Sequence, residues 1–235
     1  MEQTKPGLTA NTLKWIAIIA MTVDHIAWLF VPFRSPAGQI MHVIGRMTIP
    51  IMSFFIVEGY HHTKSVVKYL LRLFIFAAIS HLPFLYFETR TITFLYHGEF
   101  YTSVIYTLFI ALLALVVVKS EALHIILRFG IVTGLVFLAN YGDWMYFPVL
   151  WVVCFGLLRE HKSAAFLAAA AVSCSIPFLL SPGNLYQLGT LLAFPLLWMY
   201  DGRIGKKGYK YFFYIYYPVH LVLITLFYRY LYVKA

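Results

Sequence analysis

The chain has 235 residues, of which 62% are hydrophobic and 11% are charged, and its mean hydropathy is +0.80. Soluble domains carry roughly 25% charged residues, so this composition excludes a water-soluble globular protein. The net charge of +9 does not indicate nucleic-acid binding, because the basic residues are scattered over short loops. The sequence therefore predicts an all-α, polytopic transmembrane helix bundle that forms a single domain over residues 1–235.

Apolar segments follow one another along the chain, and we interpret each as a membrane-spanning helix. Their predicted bounds are 13–33, 40–60, 65–87, 103–119, 122–139, 144–158, 163–181, 185–200 and 211–232. The fourth, sixth and eighth are short for a bilayer. We expect about nine spans, within a range of eight to ten that this chain length allows.

Lysine and arginine fall mainly on one side of this predicted bundle. When the loops alternate between sides, one side collects 13 of the 18 basic residues, namely Lys5, Lys14, Lys64, Lys68, Arg72, Lys119, Arg128, Arg159, Lys162, Arg203, Lys206, Lys207 and Lys210. Cytoplasmic loops carry this excess in membrane proteins. The N-terminus is therefore predicted to be cytoplasmic and, with nine spans, the C-terminus to be outside.

The first two spans carry charged side chains where membrane helices ordinarily carry none. Lys14, Asp24 and His25 lie in the first span, and Arg46 and Glu58 lie in the second. An ionisable group at such a depth costs roughly 2.5 to 3.5 kcal/mol on insertion scales, so these groups are rare and usually face a bundle interior or a wet cavity. Four of them form the candidate catalytic set: Asp24, His25, Arg46 and Glu58.

Helix geometry groups these charges by depth. His25 follows Lys14 by eleven residues, about three turns, so both project from one face of the first helix. The second span runs the opposite way, which places Arg46 near the depth of Asp24 and Glu58 near the depth of Lys14. Matched depth makes two ion pairs possible, Asp24–Arg46 and Lys14–Glu58, because pairing lowers the cost of burying each charge. We predict the first of them.

Histidines also lie within or beside other spans. His81 is in the third span, His220 is in the ninth, and His61 and His62 end the second. A neutral imidazole inside a bundle can equally serve only as a hydrogen bond between helices. Adjacent histidines point in different directions, and the sequence has no HExxH or CxxC spacing, so no metal site is predicted.

The chain resembles the TraX family of membrane proteins in four stretches, which read LKWIAIIAMTVDHI, IGRMTIPIMSFFIVEGYHHT, YLLRLFIFAAISHLPF and YFFYIYYPVH. They fall within residues 12–90 and 200–225. The namesake of that family acetylates the N-terminus of conjugative pilin. The resemblance therefore implies a multi-pass acetyltransferase of the bacterial cytoplasmic membrane, which moves an acetyl group from cytoplasmic acetyl-CoA to an extracytoplasmic or membrane-associated acceptor.

The TraX family in turn looks like a compact relative of the integral-membrane acyltransferase superfamily. In that superfamily the first helix carries a basic residue followed, after ten residues, by an essential His, and Lys14 and His25 have that spacing. Arg46, Pro50 and the FF-x-x-x-G run after them resemble the second motif, in which many members have Ser where this chain has Glu58. The resemblance implies that His25 is the general base, and its replacement by Ala is then expected to reduce acyl transfer by about 10² to 10⁴.

Basic and imidazole side chains supply the candidate donor-binding set: Lys14, His61, His62, Lys64, Arg72 and His220. With the lysines of 206–210 they can attract the phosphates of coenzyme A, although the positive-inside rule alone explains the lysines. The expected partners are acetyl-CoA, membrane lipid, and an acceptor that is either a protein N-terminus or a glycan, with no nucleic acid and no metal.

Two other functions stay open from the sequence. His and carboxylate pairs inside a bundle also form proton relays, which keeps a proton-coupled small-molecule transporter as an alternative. Transporters commonly contain internal repeats, and we find none in the sequence. A noncatalytic pilus or envelope assembly factor would use the buried charges only as contacts between helices.

Overall fold

The computed structural model describes residues 7–179, 184–205 and 210–232, and every regular element in these ranges is a helix. In chain order they are α1 Ala10–Phe30, α2 Pro36–Arg46, α3 Thr48–His62, α4 Val66–Thr89, α5 Val104–Lys119, α6 Ile125–Ala139, α7 Phe147–Leu157, α8 Lys162–Leu179, a 3₁₀ segment Leu185–Leu192, α9 Ala193–Trp198 and α10 Lys210–Tyr232. The predicted all-α fold is confirmed. Lys5, Lys206, Lys207 and Lys234 lie outside the described residues.

Five helical segments in the described ranges are long and apolar enough to cross a membrane: Ala10–Phe30, Pro36–His62, Val66–Thr89, Lys162–Leu179 and Phe212–Tyr232. Shorter apolar segments span Val104–Lys119, Ile125–Ala139, Phe147–Leu157 and Leu185–Trp198. Each apolar segment found in the sequence corresponds to one of these. The fourth, sixth and eighth are among the short ones, as expected, and the fifth joins them because its helix begins only at Ile125.

The turn between α1 and α2 follows from two local signals. Val31 precedes Pro32, and a residue before proline is pushed out of the helical region, so α1 ends at Phe30. Ser35 then caps α2 by accepting a hydrogen bond from the Gly38 amide at 3.1 Å, with a proline in the first helical turn, where its missing amide hydrogen costs nothing. The short turn makes α1 and α2 antiparallel neighbours.

The second long segment is broken into α2 and α3 at Met47. Pro50 has no amide hydrogen, and its ring clashes with the carbonyl four residues before it, which belongs to Arg46. Thr48 holds the break against α1, because its hydroxyl donates to the Ala17 carbonyl at 3.0 Å. The span predicted as 40–60 therefore starts at Pro36 and is interrupted next to its buried arginine.

The chain divides into two compact units, and the first comprises residues 1–52 and 173–215. Within it α2 packs against both α1 and the 3₁₀ segment. A side chain at Gly189 would overlap the backbone carbonyl of Val43, so glycine permits the close approach of the 3₁₀ segment to α2. The division leaves the single domain expected from the sequence as a prediction.

The second unit comprises residues 53–172 and 216–235. Helix α5 packs there against α4, α6 and α7. Trp151 is fully buried, and its indole nitrogen donates to the Ala169 carbonyl at 3.1 Å, which ties α7 to α8. A Trp side chain is seldom fully buried unless its N–H finds such a partner, so this hydrogen bond stabilises the packing of α7 against α8.

Candidate functional site

A buried charged cluster lies in the first unit where α1 packs on α2. Asp24 of α1 and Arg46 of α2 form an ion pair between two buried side chains, which confirms the pairing predicted from their depth. The second carboxylate oxygen of Asp24 lies 2.7 Å from Nδ1 of His42. His42 and Arg46 are one turn apart and share a face of α2, so one carboxylate holds both.

Glycine makes this contact possible. Gly45 is buried in α2 opposite Asp24, and a Cβ atom there would overlap the aspartate side chain. The two helix backbones therefore approach at the cluster more closely than any larger residue would allow. The geometry of the cluster depends on this one missing side chain.

His42 is the functional candidate that sequence reasoning missed. Its side chain is fully buried. Its Nε2 atom has no hydrogen-bond partner among the described residues. An ionised carboxylate only accepts hydrogen bonds, so Nδ1 donates to Asp24 and Nε2 of the neutral ring carries a lone pair. The signal in the sequence was the one-turn spacing between His42 and Arg46.

Aromatic rings surround this imidazole. The ring centroids of Trp28, Phe33 and Tyr186 lie 4.4, 5.2 and 5.8 Å from that of His42. The guanidinium carbon of Arg46 lies 5.5 Å from the centroid of Tyr186. Apolar walls exclude water and strengthen the electrostatic contacts inside them.

A second unpartnered polar atom borders the same aromatic wall. Gln187 is buried, and its amide nitrogen donates to the Tyr186 hydroxyl at 3.2 Å. Its Oε1 atom, like Nε2 of His42, lacks a hydrogen-bond partner within the described part of the chain. A buried polar atom left without a partner costs about 1–3 kcal/mol, so each such atom in a native structure needs a specific explanation, of which a catalytic role is one.

The structure places the other predicted residues of the first helix on α1. His25 is half-buried and follows Asp24 directly, while the Asp24 carboxylate turns to α2. This agrees with the 100° step between neighbouring residues, from which Asp24 cannot be assumed to orient His25. The ammonium of Lys14 lies 5.7 Å from the ring centroid of Phe213.

Glu58 lies in the second unit, in an ion pair that the sequence did not indicate. Its Oε1 atom accepts a hydrogen bond from the guanidinium of Arg159 at 3.0 Å. One turn later His62 donates from Nδ1 to the Glu58 carbonyl at 2.8 Å. Lys14 and Glu58 belong to different units, so the ion pair that their matched depth makes possible stays a hypothesis.

The remaining donor-binding candidates also lie in the second unit. His61 and Lys64 are exposed on either side of the end of α3. The guanidinium carbon of Arg72 lies 5.4 Å from the ring centroid of Tyr69. His220 is buried in α10, where its Nδ1 donates to the Tyr216 carbonyl at 2.9 Å. Three of the four are thus at or near the end of the second unit that is predicted to be cytoplasmic.

His81 is hydrogen-bonded through both of its ring nitrogens. Its two ring nitrogens lie 3.0 Å from the Thr102 hydroxyl and 3.0 Å from the Phe94 carbonyl. Nε2 donates to the carbonyl, and Nδ1 accepts from the hydroxyl, so a neutral ring is fully satisfied. His81 therefore ties the segment between α4 and α5 to α4, which is the role of interelement hydrogen bond left open by the sequence.

Asp143 anchors the loop between α6 and α7. Its Oδ1 atom accepts hydrogen bonds from the Trp144 amide at 2.9 Å and from the Tyr101 hydroxyl at 3.4 Å. Burial raises the pKa of the Tyr101 phenol, and the Asp143 carboxylate raises that pKa further. The phenol therefore stays protonated and continues to donate to Asp143.

The apolar helices, together with the buried charged cluster between α1 and α2, define a multi-pass, all-helical membrane protein with an ionisable centre. A family model described as TraX protein matches residues 9–228, and the chain belongs to the TraX family. The chain is also 33% identical to a probable fimbrial assembly protein, FimC of serogroup H1, from Dichelobacter nodosus, in an alignment of 234 positions that covers 92% of this chain and 94% of the relative. No solved structure matches the chain.

Proposed function

We propose that the protein is a membrane acyltransferase that moves an acetyl group from cytoplasmic acetyl-CoA to an acceptor of a pilus or of the cell envelope, in the cytoplasmic membrane of a bacterium. Membership of the TraX family and the name of the fimbrial relative support this class of acceptor. The observation that carries the proposal is the buried cluster of Asp24, His42 and Arg46. It joins a carboxylate, an imidazole and a guanidinium at one point.

Acyl transfer needs the two kinds of group that this cluster contains. A base removes the proton from the acceptor nitrogen or oxygen, which then attacks the thioester carbonyl. The carbonyl oxygen becomes an oxyanion, and the guanidinium of Arg46 can stabilise this charge while it also holds Asp24. The carbon–sulfur bond then breaks, and coenzyme A leaves as its thiolate. The sequence assigns the base to His25, and the structure adds His42 beside the same carboxylate.

The acetyl-CoA donor is expected at the cytoplasmic side. The candidates for its phosphates are Lys14, His61, His62, Lys64, Arg72 and His220, and the lysines at 206 and 207 lie outside the described residues. A charge-assisted hydrogen bond to phosphate is worth about 1.5–3 kcal/mol. Loss of one such contact is therefore measurable as weaker donor binding.

The direct test is acetyl-CoA binding by calorimetry and coenzyme A release by the purified protein in lipid nanodiscs. Acceptor probes are a short peptide with a free N-terminal amine and methyl glucoside, a hydroxyl acceptor. We expect saturable acetyl-CoA binding and an acetylated product by mass spectrometry with one of the two probes. If the wild-type protein neither binds acetyl-CoA nor releases coenzyme A, the acyltransferase proposal is wrong.

Removal of the Lys14 charge is expected to weaken donor binding. Lys14→Met should raise the Kd for acetyl-CoA about 10- to 100-fold and leave turnover at saturating donor nearly unchanged. Lys162→Met is the matched control, because its ammonium lies 5.8 Å from the centroid of Phe166, much as Lys14 lies over its own phenylalanine. Equal effects of the two variants on the Kd would contradict a specific role for Lys14.

The proposed orientation has a test of its own. Reporter fusions are expected to place the N-terminus in the cytoplasm and the C-terminus outside, because of the distribution of basic residues. An alkaline phosphatase fusion should be active at the C-terminus, and a fluorescent protein that folds only in the cytoplasm should be active at the N-terminus. Cytoplasmic signals from both ends would rule out an odd number of spans.

One feature of the structure favours the transporter as the second candidate. The segment Pro36–His62 is interrupted at Met47, directly after a buried arginine, and discontinuous helices often form transporter binding sites. Proton movement into proteoliposomes under a substrate gradient would support this function, particularly if acetyl-CoA does not bind.

A further inference from the structure

We propose that His42, held by Asp24, is the general base that removes the acceptor proton, a role that the sequence assigns to His25. This inference rests on the proposed acyltransferase function and specifies its chemistry. It concerns side chains of the first unit only.

The orientation of the imidazole is the first argument. Nδ1 of His42 is 2.7 Å from the carboxylate of Asp24, so the proton of the neutral ring is held on Nδ1. The lone pair is thereby placed on Nε2, at the opposite side of the ring. A carboxylate that fixes the tautomer in this way also stabilises the imidazolium that forms after proton transfer. His25 is the neighbour of Asp24 in sequence, but both carboxylate oxygens of Asp24 contact side chains of α2.

The unsatisfied lone pair is the second argument. Nε2 of His42 is buried and has no partner among the described residues, in contrast to His81, both of whose nitrogens are bonded. A histidine that serves only to join helices gains nothing from a buried acceptor left open, which costs about 1–3 kcal/mol. The open lone pair is what a proton acceptor requires before its substrate arrives.

The surroundings supply the third argument. The imidazole is covered by the indole of Trp28, which lies 4.4 Å away between ring centroids and is itself 43% exposed. We expect the acceptor group to enter on the side of this exposed indole. Gln187, whose amide nitrogen donates to the hydroxyl of Tyr186 in the same aromatic wall, carries a second buried acceptor atom that has no partner among the described residues.

The proposed step is balanced within the acyl transfer. The acceptor N–H or O–H proton moves to Nε2 of His42, the acceptor atom forms a bond with the thioester carbonyl carbon, and the imidazolium is stabilised by Asp24. Collapse of the tetrahedral intermediate breaks the carbon–sulfur bond and releases the thiolate of coenzyme A. The imidazolium then gives its Nε2 proton to this thiolate, which becomes the thiol of coenzyme A, and the ring returns to its starting tautomer.

The test separates a base from a structural histidine. In His42→Asn the amide nitrogen can still donate to Asp24, but the side chain has no basic nitrogen. The acceptor in this assay is whichever of the two probes, the peptide amine or methyl glucoside, the wild-type protein acetylates. With it we expect kcat to fall by about 10² to 10⁴, while the Kd for acetyl-CoA and the melting temperature stay close to wild type. His81→Asn is the matched control, because both ring nitrogens of His81 are hydrogen-bonded; it is expected to keep turnover and lose stability.

Chemical rescue gives a second readout. Added imidazole is expected to restore part of the turnover of His42→Ala, whereas pyrazole, which has the same shape and is a far weaker base, is expected to restore none. Equal rescue by both compounds would show that the ring only fills space. If His42→Asn turns over as fast as the wild type, the inference is also wrong. If the wild-type protein itself shows no turnover, the proposed function is wrong instead.

Discussion

Asp24→Ala is expected to lower the free energy of unfolding by about 3 to 5 kcal/mol, because it leaves a buried guanidinium without its carboxylate. Arg46 is buried in α2 and pairs with Asp24. The same change also removes the hydrogen-bond partner of Nδ1 of His42. The measurement is denaturant or thermal unfolding of the purified variant in nanodiscs. Size-exclusion chromatography then reports the fraction of the variant that is recovered without aggregation.

Asp201→Ala is the matched control for an aspartate that pairs with arginine at the surface. Asp201 accepts hydrogen bonds from Nε and from the backbone amide of Arg203, both at 2.9 Å. These hydrogen bonds hold the pKa of the Asp201 carboxyl below its usual range. Exposed pairs of this kind contribute little to stability. The free energy of unfolding of Asp201→Ala is therefore expected to be close to that of the wild type.

A double-mutant cycle isolates the buried pair from its surroundings. Arg46→Met is expected to destabilise the protein because it leaves the Asp24 carboxylate without its cation. The double variant, Asp24→Ala with Arg46→Met, should lose less free energy of unfolding than the two single variants lose in sum. If the double variant is no better than that sum, direct pairing of the two charges loses its support.

The all-helical architecture was predictable because hydropathy reports it directly. Every apolar segment found in the sequence corresponds to a helical segment, since a chain of this composition can satisfy its backbone inside a bilayer only with helices. Boundaries were less predictable, because they depend on caps. Ser35 and Pro36 start the second segment four residues before the first residue of the predicted span, where hydropathy gives no signal.

The Asp24–Arg46 pair was predictable from depth alone, because two antiparallel neighbours place equal depths side by side. The Asp24–His42 contact was not, because it needs the rotation of α2 about its axis, which hydropathy does not fix. Glu58 shows the same limit, since matched depth did not indicate its ion pair with Arg159. Arg159 is about a hundred residues away in sequence, and only the packing of the second unit brings the two together.

Gly45→Ala is expected to disrupt the cluster while changing none of its charged groups. An added methyl group at this position overlaps the side chain of Asp24, so α1 and α2 must separate. Overpacking of this kind costs about 1–3 kcal/mol. Displacement of reacting groups by about 1 Å costs about 10²-fold in rate, so we expect turnover with the reactive acceptor probe to fall by that order, with acetyl-CoA binding retained.

Gly130→Ala gives the opposite expectation for the same chemical change. Gly130 lies within α6, and nothing lies within 4 Å of the position that its Cβ would occupy. Alanine in place of glycine inside a helix stabilises it by about 0.5–1 kcal/mol, so this variant should match or exceed the wild type in stability and match it in turnover. If Gly45→Ala behaves like Gly130→Ala in both measurements, close packing at Asp24 is not needed, and the buried cluster is not the reacting centre.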